Sequence, residues 1–371
     1  MTFRPNSLAA AYKQYENNKI LLQQNIITPL SINDNILLID GLNMFIRAYC
    51  GYPTVTDNGD FVGGLVGFMK SIASCISQFN PTRCIIVFDG KGGSLRRRKL
   101  YPQYKEGRHS LNLNRRSDIH LTPEQEQDYM KKQLVRICEY LQYLPITIMM
   151  IDYIEADDAI AYIAKDIQDI NNRKATIIST DKDYLQLITK NISVWRPTEK
   201  QLYNENTVKD RFGVYPCNFI QYKIFIGDSS DNINGVNGIG PKTLIKKFPL
   251  LEENKQISYD DILQYANTII DQNKKSKKTN ISAYQKVIES KDIIERNYQL
   301  MSLSNNNISE SIRLHIHNIF ETMPVKMNKF QLKKLFIQDG IYSLMGSSMM
   351  DIWLDTNFSV LNSFIVRQEK E

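Results

Sequence analysis

The sequence predicts an α/β protein with a central, mostly parallel sheet flanked by helices, followed by a helical region built around a helix–hairpin–helix. Three observations predict it. Short apolar runs alternate with helical patterns between Ile36 and Ser179, several of those runs end in an acid, and strand signals fade beyond about Pro216 while helical patterning continues.

Ile36–Ile39 is a continuous apolar run ending at Asp40-Gly41, as expected of a strand buried on both faces. Residues 61–79 read as a helix. Cys84–Phe88 repeats the first pattern and ends in Asp89-Gly90. A basic, irregular stretch follows over 91–120. Thr122 then caps a helix running from Pro123 to about Tyr143, with proline at its first position, where no N–H is needed. Ile146–Ile151 is a third strand, a helix opens near Glu155, and Ala175–Ser179 is a fourth strand leading to Thr180-Asp181. Read linearly, residues 1–33 are an extension, 34–215 an α/β domain with a basic arch over 91–128, and 216–371 a helical domain. His315 and His317 alternate as in a strand or loop and read as structural.

The composition is that of a water-soluble globular chain: 42% hydrophobic and 23% charged among 371 residues. No apolar run approaches the roughly 20 residues of a membrane span, and residues 1–33 lack a secretory pattern. Five cysteines without a CxxC pair read as reduced thiols, so a cytoplasmic location is expected. The net charge of +6 is concentrated: nine Lys or Arg lie between Lys91 and Arg116 against the single acid Glu106, a pattern that by itself fits a solvated helix face as well as a segment that meets a polyanion.

Nine acids sit at strand ends and helix starts: Asp40, Asp89, Glu155, Asp157, Asp158, Asp181, Asp183, Asp228 and Asp231. Any one of them reads as a turn or cap residue. Together they fall at the carboxyl edge of the sheet, where ligands of such folds bind. Like charges held close repel unless cations neutralise them. Hard oxygen donors suit Mg²⁺ or Mn²⁺, and the four scattered histidines give no zinc set. A carboxylate site of this size can hold two Mg²⁺ ions, with Mn²⁺ as substitute, and hydrolyse a phosphodiester. Arg96, Arg97 and Lys105 would then steer and polarise the scissile phosphate.

Residues 235–243 (GVNGIGPKT) miss the phosphate-binding GxxxxGK[ST] pattern because Pro241 stands where lysine is required. A helix–hairpin–helix fits better. Gly238 and Gly240 permit the turn, Pro241 opens the second helix, and backbone N–H groups with Lys242 and Lys246 can hold a DNA phosphate without reading sequence.

LLIDG at 37–41, VFDG at 87–90, YKEGR at 104–108, EADD at 155–158, STDKDYLQL at 179–187 and GDSSDNINGVNGIGPKT at 227–243 resemble, in order and spacing, the motifs of flap endonucleases and bacterial or phage 5′→3′ exonucleases. The resemblance covers about residues 34–250, and its branch looks like the ribonuclease H of T-even phages. It implies a PIN-like 5′-nuclease fold and direct or near-direct metal binding by Asp89, Glu155, Asp157, Asp181 and Asp183. Asp40, Asp158, Asp228 and Asp231 would complete the cluster. The family's arginine falls at Arg96 or Arg97, its arch positions at Lys105 and Arg108, and its hairpin at Gly238, Gly240, Lys242, Thr243 and Lys246, with a monovalent cation such as K⁺ there. The implied activity is removal of RNA primers and cleavage at 5′ ends, nicks or flaps of DNA and RNA/DNA duplexes. By the same resemblance the C-terminal segment is expected to dock a single-strand-binding protein or sliding clamp, as relatives do, and a monomer in phage or bacterial cytoplasm is expected. The competing reading is a non-catalytic junction binder on the same scaffold, which the intact acids argue against.

Overall fold

The structure is a computed structural model that describes residues 35–107, 122–169, 173–275, 282–303, 308–346 and 349–368. The N-terminal extension, Arg108, Arg115 and Arg116 lie outside the described residues. The chain forms two compact units. Among the described residues, the first comprises those within 35–93, 122–179 and 308–368; the second comprises those within 94–107 and 180–303.

The core of the first unit is a run of parallel strands, β1 (Asn35–Asp40), β2 (Arg83–Asp89), β3 (Thr147–Ile151) and β4 (Lys174–Ile178). They lie in the order β3-β2-β1-β4, with Leu38 opposite Ile85 on one side and Ile177 on the other. Ile36, Leu37, Leu38 and Ile39 are fully buried, which explains the continuous apolar run: neither face of a strand covered by helices has a polar side. The expected helices form at Gly63–Phe79, Pro123–Leu141 and Ala156–Asp169. Thr122 caps the second of these in a reciprocal box, its hydroxyl accepting from Gln125 N at 3.3 Å while its own N–H donates to Gln125 Oε1 at 2.9 Å.

Asp40 stands at a strand end and caps a helix, as the sequence reading has it; that helix, Gly41–Gly51, buries Met44, Phe45, Ala48 and Tyr49. The C-terminal residues depart from the sequence reading: they return to the first unit instead of continuing the helical domain. The helix Glu310–Glu321 packs on β3, and Met350–Gln368 packs on Gly63–Phe79 with Leu354, Phe358 and Leu361 buried. Buried Arg83 donates to Thr322 O at 2.9 Å and lies 4.9 Å from the Phe320 ring centroid. His315 and His317 are therefore on the exposed side of a helix, whose buried side is Ile316, Ile319 and Phe320 at helical spacing.

The second unit holds an antiparallel pair, β5 (Ile192–Arg196) with β6 (Gln201–Tyr203), and is otherwise mainly helical. A small hairpin, β7 (Gly227–Asp228) with β8 (Ile233–Asn234), follows the helix Phe219–Ile226. Asn297, fully buried on the helix Lys291–Met301, clamps this arrangement by donating to Ile224 O and Asn234 O, both at 2.9 Å. Among the described residues, no helix is long and apolar enough to cross a membrane.

Candidate active site

In the first unit the parallel strands deliver a row of carboxylates to their carboxyl edge. Asp40 ends β1 and caps the next helix, Oδ1 accepting from Asn43 N at 3.0 Å. The register Ile39–Ile178 sets Ser179 beside it, and the Ser179 hydroxyl donates to Asp40 Oδ2 at 3.1 Å. Asp89 ends the neighbouring β2, and its Oδ1 accepts from Ala156 N at 2.7 Å. That bond brings the EADD segment to the strand end. Glu155 and Asp158 are buried, and Asp157 Oδ1 accepts from Asp158 N at 2.7 Å. Gly90 permits the approach: a Cβ there would lie 1.9 Å from Ile151 O. The structure thus gathers Asp40, Asp89, Glu155, Asp157 and Asp158 along one edge.

The second unit gathers the remaining acids. Asp181 Oδ1 accepts from Asp183 N at 2.8 Å. Asp183 is nearly buried, with Oδ1 2.8 Å from Lys223 Nζ, and the same ammonium bonds Asp228 Oδ2. Asp228 Oδ1 also accepts from the Ser230 N–H at 2.8 Å and the Ser230 hydroxyl at 2.6 Å. One ammonium cannot fully neutralise two carboxylates, buried Asp183 and half-buried Asp228. Burial, with Asp181 and Asp228 adding, pushes Asp183 up to about 7 despite Lys223. Burial also pushes Asp228 upward, but Lys223 and Ser230 outweigh it and hold that carboxyl below its usual range. Sequence reading missed Lys223. Its signal is one lysine inside the apolar helix FIQYKIFI, since a charge buried there requires a partner.

The basic segment begins with a short helix, Leu95–Leu100. Arg97 is buried, its Nε donating to Leu300 O at 2.9 Å, while half-exposed Arg96 donates to Gln299 O at 3.4 Å. Both meet the negative end of the helix Lys291–Met301. Lys105 has a left-handed backbone (φ +57°), donates its N–H to Asp231 O at 2.9 Å, and holds Nζ 4.9 Å from the Tyr104 ring centroid. With Asn232 Nδ2 donating to Gln103 O at 3.0 Å, the YKEG and GDSSDN motifs meet in this unit.

The hairpin is built as its glycines require. Gly227 has φ +76°, and a Cβ there would lie 2.4 Å from Ile233 O and Gly235 N. Gly238 has φ +75°, Gly240 caps the helix Pro241–Lys247, and Pro241 is its first residue. Leu244 is buried, Thr243 half-buried, and Lys242 and Lys246 are exposed one turn apart. Lys286, which sequence reading also missed, brings Nζ to 2.8 Å from where a Gly238 Cβ would lie.

Among the described residues, no three His, Cys, Asp or Glu side chains are placed to hold a metal ion as a ready-made cage. The donors in each unit are nevertheless carboxylate oxygens, which suit a hard cation. Mg²⁺ keeps several waters and takes one or two carboxylates plus substrate phosphates, so the donor chemistry fits it without a closed cage.

Residues 35–213 match the family described as the 5′-3′ exonuclease, N-terminal resolvase-like domain. The chain is 29% identical over 221 residues to the 5′-3′ exonuclease of Aquifex aeolicus, covering 58% of this chain and 71% of that one. It is 33% identical over 226 residues to DNA polymerase I of Borreliella burgdorferi, but spans only 23% of that protein. The bacteriophage T5 flap endonuclease, solved with DNA and metal ions, superposes with a TM-score of 0.54 at 20% identity, covering 91% of this chain and all of that one. At that identity the likeness is one of fold, and it agrees with the helix-flanked parallel sheet expected here.

Proposed function

We propose that this chain, whose residues 35–213 match the 5′-3′ exonuclease N-terminal resolvase-like family, belongs to that family and is a divalent-metal-dependent nuclease that hydrolyses duplexes bearing 5′ ends, nicks or flaps. The observation that carries this reading is the carboxylate row of the first unit, anchored by the Asp89–Ala156 hydrogen bond. One or two Mg²⁺ ions, or Mn²⁺ in their place, would supply Lewis-acid stabilisation of the charge developing on the scissile phosphate. Asp89, Glu155 and Asp157 in the first unit, and Asp181 and Asp183 in the second, are the acids we assign to metal. Asp40, Asp158, Asp228 and Asp231 orient and support them. Arg96 is the more exposed of the two candidate arginines and, with Lys105, orients substrate phosphates. RNA primers annealed to DNA are within the substrate class, since nothing in this assignment reads a 2′-hydroxyl.

The second unit's hairpin binds the duplex backbone through Gly238, Gly240, Lys242, Thr243 and Lys246, with K⁺ as its monovalent cation. Changing Lys242 and Lys246 together to Ala is expected to weaken duplex binding. It should also flatten the dependence of log K on log salt by about 2, because each lost phosphate contact removes a slope of roughly 0.9. Titrations at several salt concentrations check this, and an unchanged slope removes the hairpin from the binding surface.

The deciding experiment incubates the protein with a 5′-flap duplex labelled at the 3′ end of the flap strand, in Mg²⁺ and in EDTA. Cuts at the junction or stepwise from the 5′ end, only with metal, are expected. Tight binding without cutting in Mg²⁺ or Mn²⁺ would make the chain a junction binder.

A further inference from the structure

The loop between β3 and the helix Ala156–Asp169 carries a feature that neither metal nor phosphate binding uses. Tyr153 has φ +69°, in the left-handed region, and the residue is 65% exposed. Among the described residues the other non-glycine residues with positive φ are two asparagines and two lysines, and Tyr153 alone is aromatic. Asparagine tolerates this conformation through local hydrogen bonds, whereas a bulky ring gains nothing locally to offset it.

The surrounding backbone holds it there. Tyr153 N donates to Lys91 O at 2.9 Å, and Lys91 N donates to Asp152 Oδ1 at 2.8 Å. Gly90 and Gly93 let the two loops touch backbone to backbone, since Cβ atoms there would lie 1.9 Å from Ile151 O and 2.7 Å from Ile154 O. Ile151 and Ile154 on either side are buried. Among the described residues, no ring contact or side-chain hydrogen bond holds the Tyr153 ring. A strained backbone fixed from several directions, with its aromatic ring left in solvent two residues before Glu155, is a device aimed at something outside the chain.

We propose that Tyr153 is a stacking platform for a nucleobase of the strand whose backbone reaches the carboxylate row. The proposal rests on the function proposed above. A base offers a flat π-face whatever its identity, so a ring carried on a fixed backbone two residues before Glu155 can position the strand without sequence preference. The left-handed backbone sets the direction in which the side chain leaves the loop, and the Lys91 clasp fixes that backbone.

The test uses the full chain in EDTA, with 2-aminopurine walked across the junction of a 5′-flap duplex. Wild type and Tyr153→Phe are expected to quench the emission at one or two positions. Tyr153→Gly should lose that quench and bind about ten- to hundredfold more weakly, the size of one lost base stack. Its thermal midpoint should equal or exceed that of wild type, because glycine adopts this φ without strain. A Tyr153→Gly protein that keeps both quench and affinity overturns the stacking role while leaving the nuclease reading intact. One that loses affinity only together with stability also overturns it, by making Tyr153 structural. A wild-type protein that neither binds nor cuts the flap duplex overturns both readings.

Discussion

Changing Asp181 to Asn is expected to lower the cleavage rate on the order of a hundredfold or more while duplex affinity in EDTA stays within about twofold. Asp181 Oδ1 accepts the Asp183 N–H at 2.8 Å, and asparagine offers the same oxygen at the same distance from the backbone. The turn should therefore form unchanged, leaving only the loss of one negative charge. If that charge serves a metal ion, catalysis falls and binding does not. Single-turnover cleavage in Mg²⁺ beside equilibrium binding in EDTA separates the two effects. Parallel losses would make Asp181 a structural residue.

The largest effect on stability is expected at Lys223. Its ammonium meets Asp183 and Asp228 in the second unit, and changing it to Met leaves buried Asp183 and half-buried Asp228 without their cation. Breaking such a cluster by removing one partner costs about 3–5 kcal/mol, a large share of the stability of an ordinary domain. Denaturant unfolding should show that loss, and adding Asp183→Asn to Lys223→Met should recover part of it. A Lys223→Met midpoint equal to wild type would refute the buried cluster.

The same cluster sets a pH dependence whose sign is unusual for a carboxylate. Because Asp183 is held at about 7 in the folded state, the folded chain keeps a proton that the unfolded chain has released by about pH 4. Its contribution to metal-free stability is therefore greatest below about pH 4 and is lost as pH rises towards 7. Asp228, held below its usual value, contributes in the opposite sense and only at the acid end. Urea midpoints in EDTA from about pH 4.5 to 8 should fall with rising pH in wild type, and less steeply in Asp183→Asn. Equal slopes would place the Asp183 pKa near its ordinary value.

The parts legible from sequence were those that local pattern encodes. The run Ile36–Ile39 must be apolar throughout because β1 is covered on both faces, and Thr122-Pro123 must start a helix because of what a helix N-terminus lacks. Asp40 and Asp89 could be placed at a sheet edge because a strand's last residue lies at its end, and Gly238–Pro241 could be read as a turn entering a helix. These readings need no knowledge of distant neighbours.

What tertiary structure decided is which distant groups share a space. Nothing within a few residues of Lys223 states that it meets an acid 40 positions earlier, nor that Arg97 is spent on the carbonyl of Leu300. Nor does the helical pattern of Glu310–Glu321 say that it returns to β3. Tyr153 looks like any loop tyrosine until its backbone is seen in the left-handed region and clasped by Lys91. Periodicity and capping are local properties of the chain, so the sequence alone determined the elements and the acids at their ends. Burial and electrostatic pairing act through space, so the compact fold alone decided which charges are neutralised and which ring is left to meet a ligand.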